Sequence, residues 1–298
     1  MMNGIIVINK ETGFTSNDVV AKMRGILKER HIGHTGTLDP QATGVLPVCI
    51  GNATKLFDMF ADRDKEYEAG LLLGRTTDTE DIWGETLSES AVNVDEDEIR
   101  EAVMGFVGEY MQTPPMYSAL KVNGKKLYEL ARAGVEVERK PRKVNINGIR
   151  INTVEVPHVS MNVECTKGTY IRTLCRDIGE KLGTGGCMES LKRVRVGNFY
   201  LKDAITLSEL EKIRDAGEIE KILIPVEKFF EDKSVITAKP DFDKAVNNGN
   251  ILNPENTAEN KVYPENEWVR VHRSDGSFAG IYAYNEKIKA YKPFKMFL

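Results

Sequence analysis

Gly33-His34-Thr35-Gly36-Thr37-Leu38-Asp39-Pro40-Gln41-Ala42-Thr43-Gly44-Val45-Leu46-Pro47 is the stretch on which the reading of this chain turns. Glycines, prolines and a lone carboxylate packed into one connection describe a loop of fixed shape, and shaped loops commonly carry function. Its local chemistry leaves two readings open. Asp39 ahead of Pro40 is a turn former as readily as a reactive carboxylate, and His34 a satisfied loop histidine as readily as a working one. The whole run Asp39 to Gly51, punctuated by Gly and Pro, reads as loop.

Upstream, Gly4 to Lys10 is a β-branched run that reads as a strand closed by Gly13. A helix follows, with Ser16 as its expected N-cap and Val19, Val20, Met23, Ile26 and Leu27 as its buried stripe. Downstream, Lys55 to Ala61 reads as helix and Tyr67 to Leu73 as strand. Asp95 to Glu98 place acids in the first turn of a helix buried through Ile99, Val103, Phe106 and Val107. Val144 to Val154 and Val159 to Cys165 are strands, and Thr169 to Leu182 a one-sided helix. Strands and helices mix without a βαβ rhythm, so the expected class is α+β. After a polar, partly helical stretch to Asp232, the texture shifts to Asn/Gly/Pro turns and short strands, which suits a small all-β module over residues 233–298 behind a large domain over 1–232.

The 298 residues carry 41 Lys+Arg against 45 Asp+Glu, a net charge of −4, with 41% apolar residues to fill a core. Nothing resembles a bilayer span or a signal peptide, so a cytoplasmic location is expected. Cys49, Cys165, Cys175 and Cys187 are far apart and read as ordinary buried thiols, neither a zinc knuckle nor a disulfide framework. The motifs of dinucleotide, NTP, zinc-protease and serine-hydrolase sites are absent from the sequence, which leaves chemistry expected to need neither cofactor nor metal.

The mild net charge hides separate blocks. Thr76 to Glu101 has ten acids and one base, which reads as a solvated belt. Gln112 to Arg150 has nine bases against three acids, and Cys165 to Lys202 eight against three. Two basic segments could build a phosphate-binding face or be merely solvated surfaces. Taken singly, Tyr67, Tyr170 and Leu191 read as packing residues and Arg172 as a surface charge.

At GHTGTLDPQATGVLP the sequence resembles the TruB family of tRNA pseudouridine synthases. The likeness continues, in order, through Lys10-Glu11-Thr12-Gly13-Phe14-Thr15-Ser16, Lys65-Glu66-Tyr67, Arg75-Thr76-Thr77-Asp78-Thr79, Pro114-Pro115-Met116-Tyr117-Ser118-Ala119-Leu120-Lys121, Leu127 to Arg132, and Lys167-Gly168-Thr169-Tyr170-Ile171-Arg172-Thr173. It departs at Glu11, where the family usually has Pro. The resemblance implies a pseudouridine synthase fold with a mixed, largely antiparallel central sheet, an RNA-gripping insertion near residues 112–140, and a C-terminal PUA-like β-barrel. It also implies isomerisation of uridine 55 in the tRNA T-loop by a stand-alone monomer without cofactor, with Asp39 as the catalytic carboxylate and Arg172 as its ion-pair partner. Tyr67 would stack on the flipped uracil, Tyr170 and Leu191 would line the base pocket, and His34 would fill the gap the base leaves. The two basic segments would hold T-stem and T-loop phosphates, and the last 66 residues would contact RNA near the acceptor stem.

Overall fold

The computed structural model describes residues 2–122 and 124–298. Along the chain run β1 (Gly4–Lys10), α1 (Ser16–Leu27), β2 (Ile32–His34), β3 (Thr43–Ile50), α2 (Phe57–Ala61), β4 (Lys65–Leu73), β5 (Arg75–Thr77), β6 (Thr86–Glu89) and α3 (Glu96–Met104). Then come β7 (Gly108–Gln112), β8 (Lys121–Val122), β9 (Lys125–Lys126), α4 (Leu127–Arg132), β10 (Arg142–Glu155), β11 (His158–Cys165), α5 (Ile171–Lys181), β12 (Gly186–Val196), β13 (Phe199–Tyr200), α6 (Leu207–Asp215) and α7 (Ile219–Ile222). The chain ends with β14 (Val235–Thr237), α8 (Asp243–Asn247), β15 (Trp268–His272), β16 (Phe278–Asn285) and β17 (Ala290–Met296).

Among the described residues, nine strands form one mixed sheet in the order β1-β3-β12-β4-β11-β10-β7, with β2 beside β3 and β13 beside β12. All pairs are antiparallel except β3 with β12, as expected of an α+β chain. Alternation in β4 and β11 turns Tyr67, Ala69, Leu71, Val159, Met161 and Val163 toward α3 and α5, where they form one core with Leu38, Ile171 and Leu174. A second core packs α1 and α6 on β1 and β3.

Three details differ from expectation. Thr43 to Ile50 is not loop but a buried strand that pairs with both β1 and β12. The Gly and Pro that suggested a loop serve the pairing: Pro47, which has no N–H to leave unpaired, accepts both the N–H and the hydroxyl of Thr35 on its carbonyl, and Gly44 permits a close backbone crossing. The N-cap of α1 is Thr15, in a reciprocal capping box with Asp18, and not Ser16. Ser16 is buried and exchanges hydrogen bonds with the backbone of Leu38. Finally, α3 stops at Met104, which leaves Val107 41% exposed, while Asp95 caps the helix and Ile99 and Val103 are buried as expected.

The C-terminal strands form a separate four-stranded sheet, β14-β15-β16-β17, over an apolar core of its own. Ile281 and Phe278 from this sheet, and Phe297 just past its last strand, also pack with Phe229 and Phe230 against the first part of the chain. The four cysteines are free and buried, and burial pushes their thiols up, to about 12 for Cys49 and Cys165. No described helix is long and apolar enough to cross a membrane.

Candidate active site

Asp39 leaves the sheet between β2 and β3, on a loop pinned from three sides. Leu38 is held by Ser16, the Pro40 carbonyl accepts from Gly13 N–H and from Lys10 Nζ at 3.0 Å, and Ala42 N–H closes a turn on the Asp39 carbonyl. The N-terminal motif around Lys10 and Ser16 therefore shapes the Asp39 loop. Glu11 faces solvent, and its carbonyl takes a second bond from Lys10 Nζ. Lys10 itself is fully buried, and burial lowers its pKa to about 8 despite the opposing field of Asp39.

The Asp39 Oδ2 atom lies 3.0 Å from Arg172 Nε. Arg172, in the first turn of α5, is buried and uses its whole fork. Nη1 donates to the Thr79 carbonyl at 3.0 Å and lies 3.8 Å from Asp81 Oδ2, and Nη2 donates to the Tyr117 carbonyl at 2.9 Å. One guanidinium thus ties together the Asp39 loop, the turn after β5 and the segment that opens the insertion.

Tyr67, on the core face of β4, is 9% exposed and sits within the field of Asp39; burial raises its pKa. Tyr170 precedes α5 and is half-buried, and its phenol is also raised by burial. Leu191 is partly buried on β12, beside Ala69 of β4, and packs on the core that contains Tyr67 and Leu38. The structure therefore gathers Asp39, Arg172, Tyr67, Tyr170 and Leu191 around one end of β4 and α5. His34 lies on β2, five residues before Asp39 and in the field of Arg193; its Nδ1 is buried without a partner, and burial, with Arg193 second, holds the imidazole below its usual pKa.

Sequence reasoning missed two residues at this site. Gln112, at the end of β7, is 1% exposed and brackets Tyr170 with its amide: Oε1 accepts from Tyr170 N–H at 2.7 Å, and Nε2 donates to the Tyr170 carbonyl at 3.0 Å. Nε2 also donates to the Tyr110 hydroxyl at 2.6 Å, which donates in turn to Asp177. The other is Arg193, which in the sequence is one base among the eight of its segment. Its Nε donates to the Val45 carbonyl at 2.7 Å and Nη2 to that of Gly36 at 3.1 Å.

The charge blocks also need correction. Three acids of the supposed solvated belt are wired inward. Asp81 receives Trp83 N–H and Thr79 Oγ1, Asp78 receives Glu85 N–H and the Tyr117 hydroxyl, and the buried Glu80 receives Thr173 Oγ1 and Arg176. The segment from 165 to 202 likewise turns half of its eight bases inward. Arg172 and Arg193 are buried, Arg176 pairs with Glu80 and Asp177, and Arg195 pairs with Glu66 and Glu164. Lys167, Lys181 and Lys202 stay exposed there, and further exposed bases lie on the insertion and the strand that follows it, at Lys121, Lys125, Arg132, Lys140, Arg142 and Arg150.

A half-exposed carboxylate paired with a buried guanidinium, beside Tyr67 and Tyr170 on a mixed sheet, marks the candidate centre of an enzyme, and comparison with known proteins gives the chain a family. The model described as TruB family pseudouridylate synthase (N terminal domain) matches residues 24–171, and that of the tRNA pseudouridylate synthase B C-terminal domain matches 172–231. This chain belongs to the TruB family of pseudouridylate synthases. It is 52% identical to the tRNA pseudouridine synthase B of Lachnoclostridium phytofermentans over 100% of both chains. It is 45% identical to that of Clostridium kluyveri, over 94% of this chain and 95% of the other. Among solved structures, it is similar to a chain of a Cbf5-Nop10-Gar1 complex at 28% identity and a TM-score of 0.75, over 99% of this chain and 85% of that one. It is also similar, at 25% identity and a TM-score of 0.74, to a chain of an H/ACA RNP bound to a substrate RNA containing 2'-deoxyuridine, with the same coverage.

Proposed function

We propose that the protein isomerises uridine 55 in the T-loop of tRNA to pseudouridine, with Asp39 as its catalytic carboxylate. The observation that carries this reading is the 3.0 Å pair of Asp39 and Arg172 beside Tyr67, on a loop braced from several elements. The reaction breaks the bond from the ribose to N1 of uracil and rejoins the ring through C5, so it needs a positioned carboxylate and proton transfers but no redox step. The target nucleotide leaves the stack to reach Asp39. Arg172, held by two carbonyls, keeps the carboxylate aimed, Tyr67 meets the flipped uracil, and Tyr170 and Leu191 wall the pocket. The neutral imidazole of His34 suits an occupant of the gap left in the loop.

In this reading residues 1–232 are the catalytic domain, and the exposed bases of the insertion over 112–140 grip the T-stem and T-loop. Residues 233–298 serve as a PUA-like module reaching toward the acceptor stem; their separate core and the end of the family match at residue 231 support that boundary. The enzyme works as a cytoplasmic monomer on free tRNA. Identity of 44–52% to named tRNA enzymes, against 25–28% to chains of guide-RNA particles, favours this over work within such a particle. The test is Asp39→Asn with a T-stem-loop RNA and site-specific pseudouridine mapping. Turnover should vanish while RNA binding survives; retained turnover would remove Asp39 from its role.

A further inference from the structure

We propose that Arg193 is a positioning residue for this reaction, fixing the Asp39 loop and the Tyr67 hydroxyl in one arrangement. The inference rests on the assignment of Asp39 and Tyr67 to the reacting centre.

Arg193 heads the largest fully buried side chains of the protein, at 2% exposure. A buried guanidinium is ordinarily matched by a carboxylate. Among the described residues none pairs with Arg193. Its partners are the carbonyls of Gly36, 3.1 Å from Nη2, of Thr37, 3.5 Å from Nη1, and of Val45, 2.7 Å from Nε. Gly36 and Thr37 lie just before Asp39 and Val45 just after it, so one rigid fork closes the base of the loop that carries the carboxylate.

The same guanidinium meets the Tyr67 hydroxyl. The sheet dictates that meeting, since the register sets Arg193 of β12 between Gly44 of β3 and Tyr67 of β4. Arginine has donors only, so the Tyr67 oxygen must accept, and the phenolic proton turns away from Arg193. Burial without a counter-ion gains little for stability that an apolar side chain of similar volume would not supply. What only the planar fork supplies is simultaneous aim on the two edges of the loop and on the phenol, which the point charge of lysine cannot reproduce.

The experiment compares Arg193→Lys and Arg193→Met with the wild type in single-turnover conversion of a T-stem-loop RNA, together with RNA affinity, thermal melting, and Arg193→Lys in a Tyr67→Phe background. The expected result is a folded Arg193→Lys enzyme that binds RNA within about threefold of wild type yet turns over about a hundredfold more slowly, the cost of a small misplacement of reacting groups. The factor should shrink in the Tyr67→Phe background, because part of it runs through that hydroxyl. An unchanged rate in folded Arg193→Lys would overturn the proposal, as would an equal factor in both backgrounds. Failure of both variants to fold at low temperature would also overturn it, by making Arg193 a residue of the fold alone. Asp39→Asn that kept turning over would instead remove the underlying assignment.

Discussion

Gly44 and Arg193 cross so closely, where β3 runs parallel to β12, that a Cβ at residue 44 would stand 2.2 Å from the Arg193 carbonyl oxygen. Gly44 also holds φ at +102°, a conformation closed to ordinary side chains. Gly44→Ala should therefore destabilise the protein by roughly 2 kcal/mol or more, through strain and displacement of β12. Urea unfolding measures this; a variant within about 0.5 kcal/mol of wild type, a shift of the size expected at a neutral surface position, would show that the crossing can relax.

The four-way hold of Arg172 predicts that charge alone is not enough there. Arg172→Lys retains a cation near Asp39 but cannot also reach Thr79, Asp81 and Tyr117. Single-turnover rates on a T-stem-loop should fall by on the order of a hundredfold or more, and amide exchange around Tyr117 should accelerate. Full activity in the lysine variant would mean that the fork is dispensable.

Gln112 gives a prediction for the root of the insertion. Gln112→Leu leaves the Tyr170 backbone pair and the Tyr110 hydroxyl without the partners the amide supplies, at a cost of about 2 kcal/mol in thermal or urea unfolding. Its effect on catalysis should appear as weaker substrate binding, because Tyr170 lines the pocket in the proposed reading. Unaltered stability would place the Tyr170 bracket among bonds that water replaces freely.

In the proposed reading, the exposed bases of the insertion set the salt dependence of RNA binding. Replacing Lys121, Lys125 and Arg132 together by alanine should reduce the slope of log affinity against log salt by about 0.7 to 0.9 for each phosphate that the variant no longer neutralises. A filter-binding series between low and moderate salt reads this directly. Parallel lines for variant and wild type would remove these residues from the RNA interface.

Lys10 links pH to stability. With its pKa lowered to about 8 from an ordinary 10.5, the folded protein releases this proton while the unfolded chain still holds it. For this group alone the penalty of a buried charge is complete below pH 8 and is relieved between pH 8 and 10.5, so unfolding free energy rises through that window. Lys10→Met should lack that rise. Melting curves of both proteins from about pH 7.5 to about pH 10 should diverge, the wild type gaining relative to the variant.

The α+β class, the helices at 16–27 and 171–181 and the strands at 142–155 and 158–165 were legible in sequence, because their apolar periodicities match their burial. Asp39, Tyr67 and Arg172 were legible only through their resemblance to a family, since each has a bland local reading. β3 was illegible for a physical reason: its Gly44 and Pro47 are breakers in isolation, and only the neighbouring Arg193 and Thr35 give them work in a strand. Arg193 and Gln112 were missed because nothing in composition separates a polar side chain on the surface from one that stitches backbone groups in the core. Asp78, Glu80 and Asp81 were misplaced for the mirror reason, as acids that besides any local partners meet residues far along the chain: Tyr117 inside the insertion, and Thr173 and Arg172 some 90 residues on.

Every cysteine of the chain is sealed inside, with burial raising its thiol. The native protein is therefore its own blank for site-specific labelling. A single Ala133→Cys, at an exposed position just past α4, would give one reactive sulfur on the basic insertion. A fluorophore there could follow the approach of RNA in real time, with none of the natural residues removed from the core.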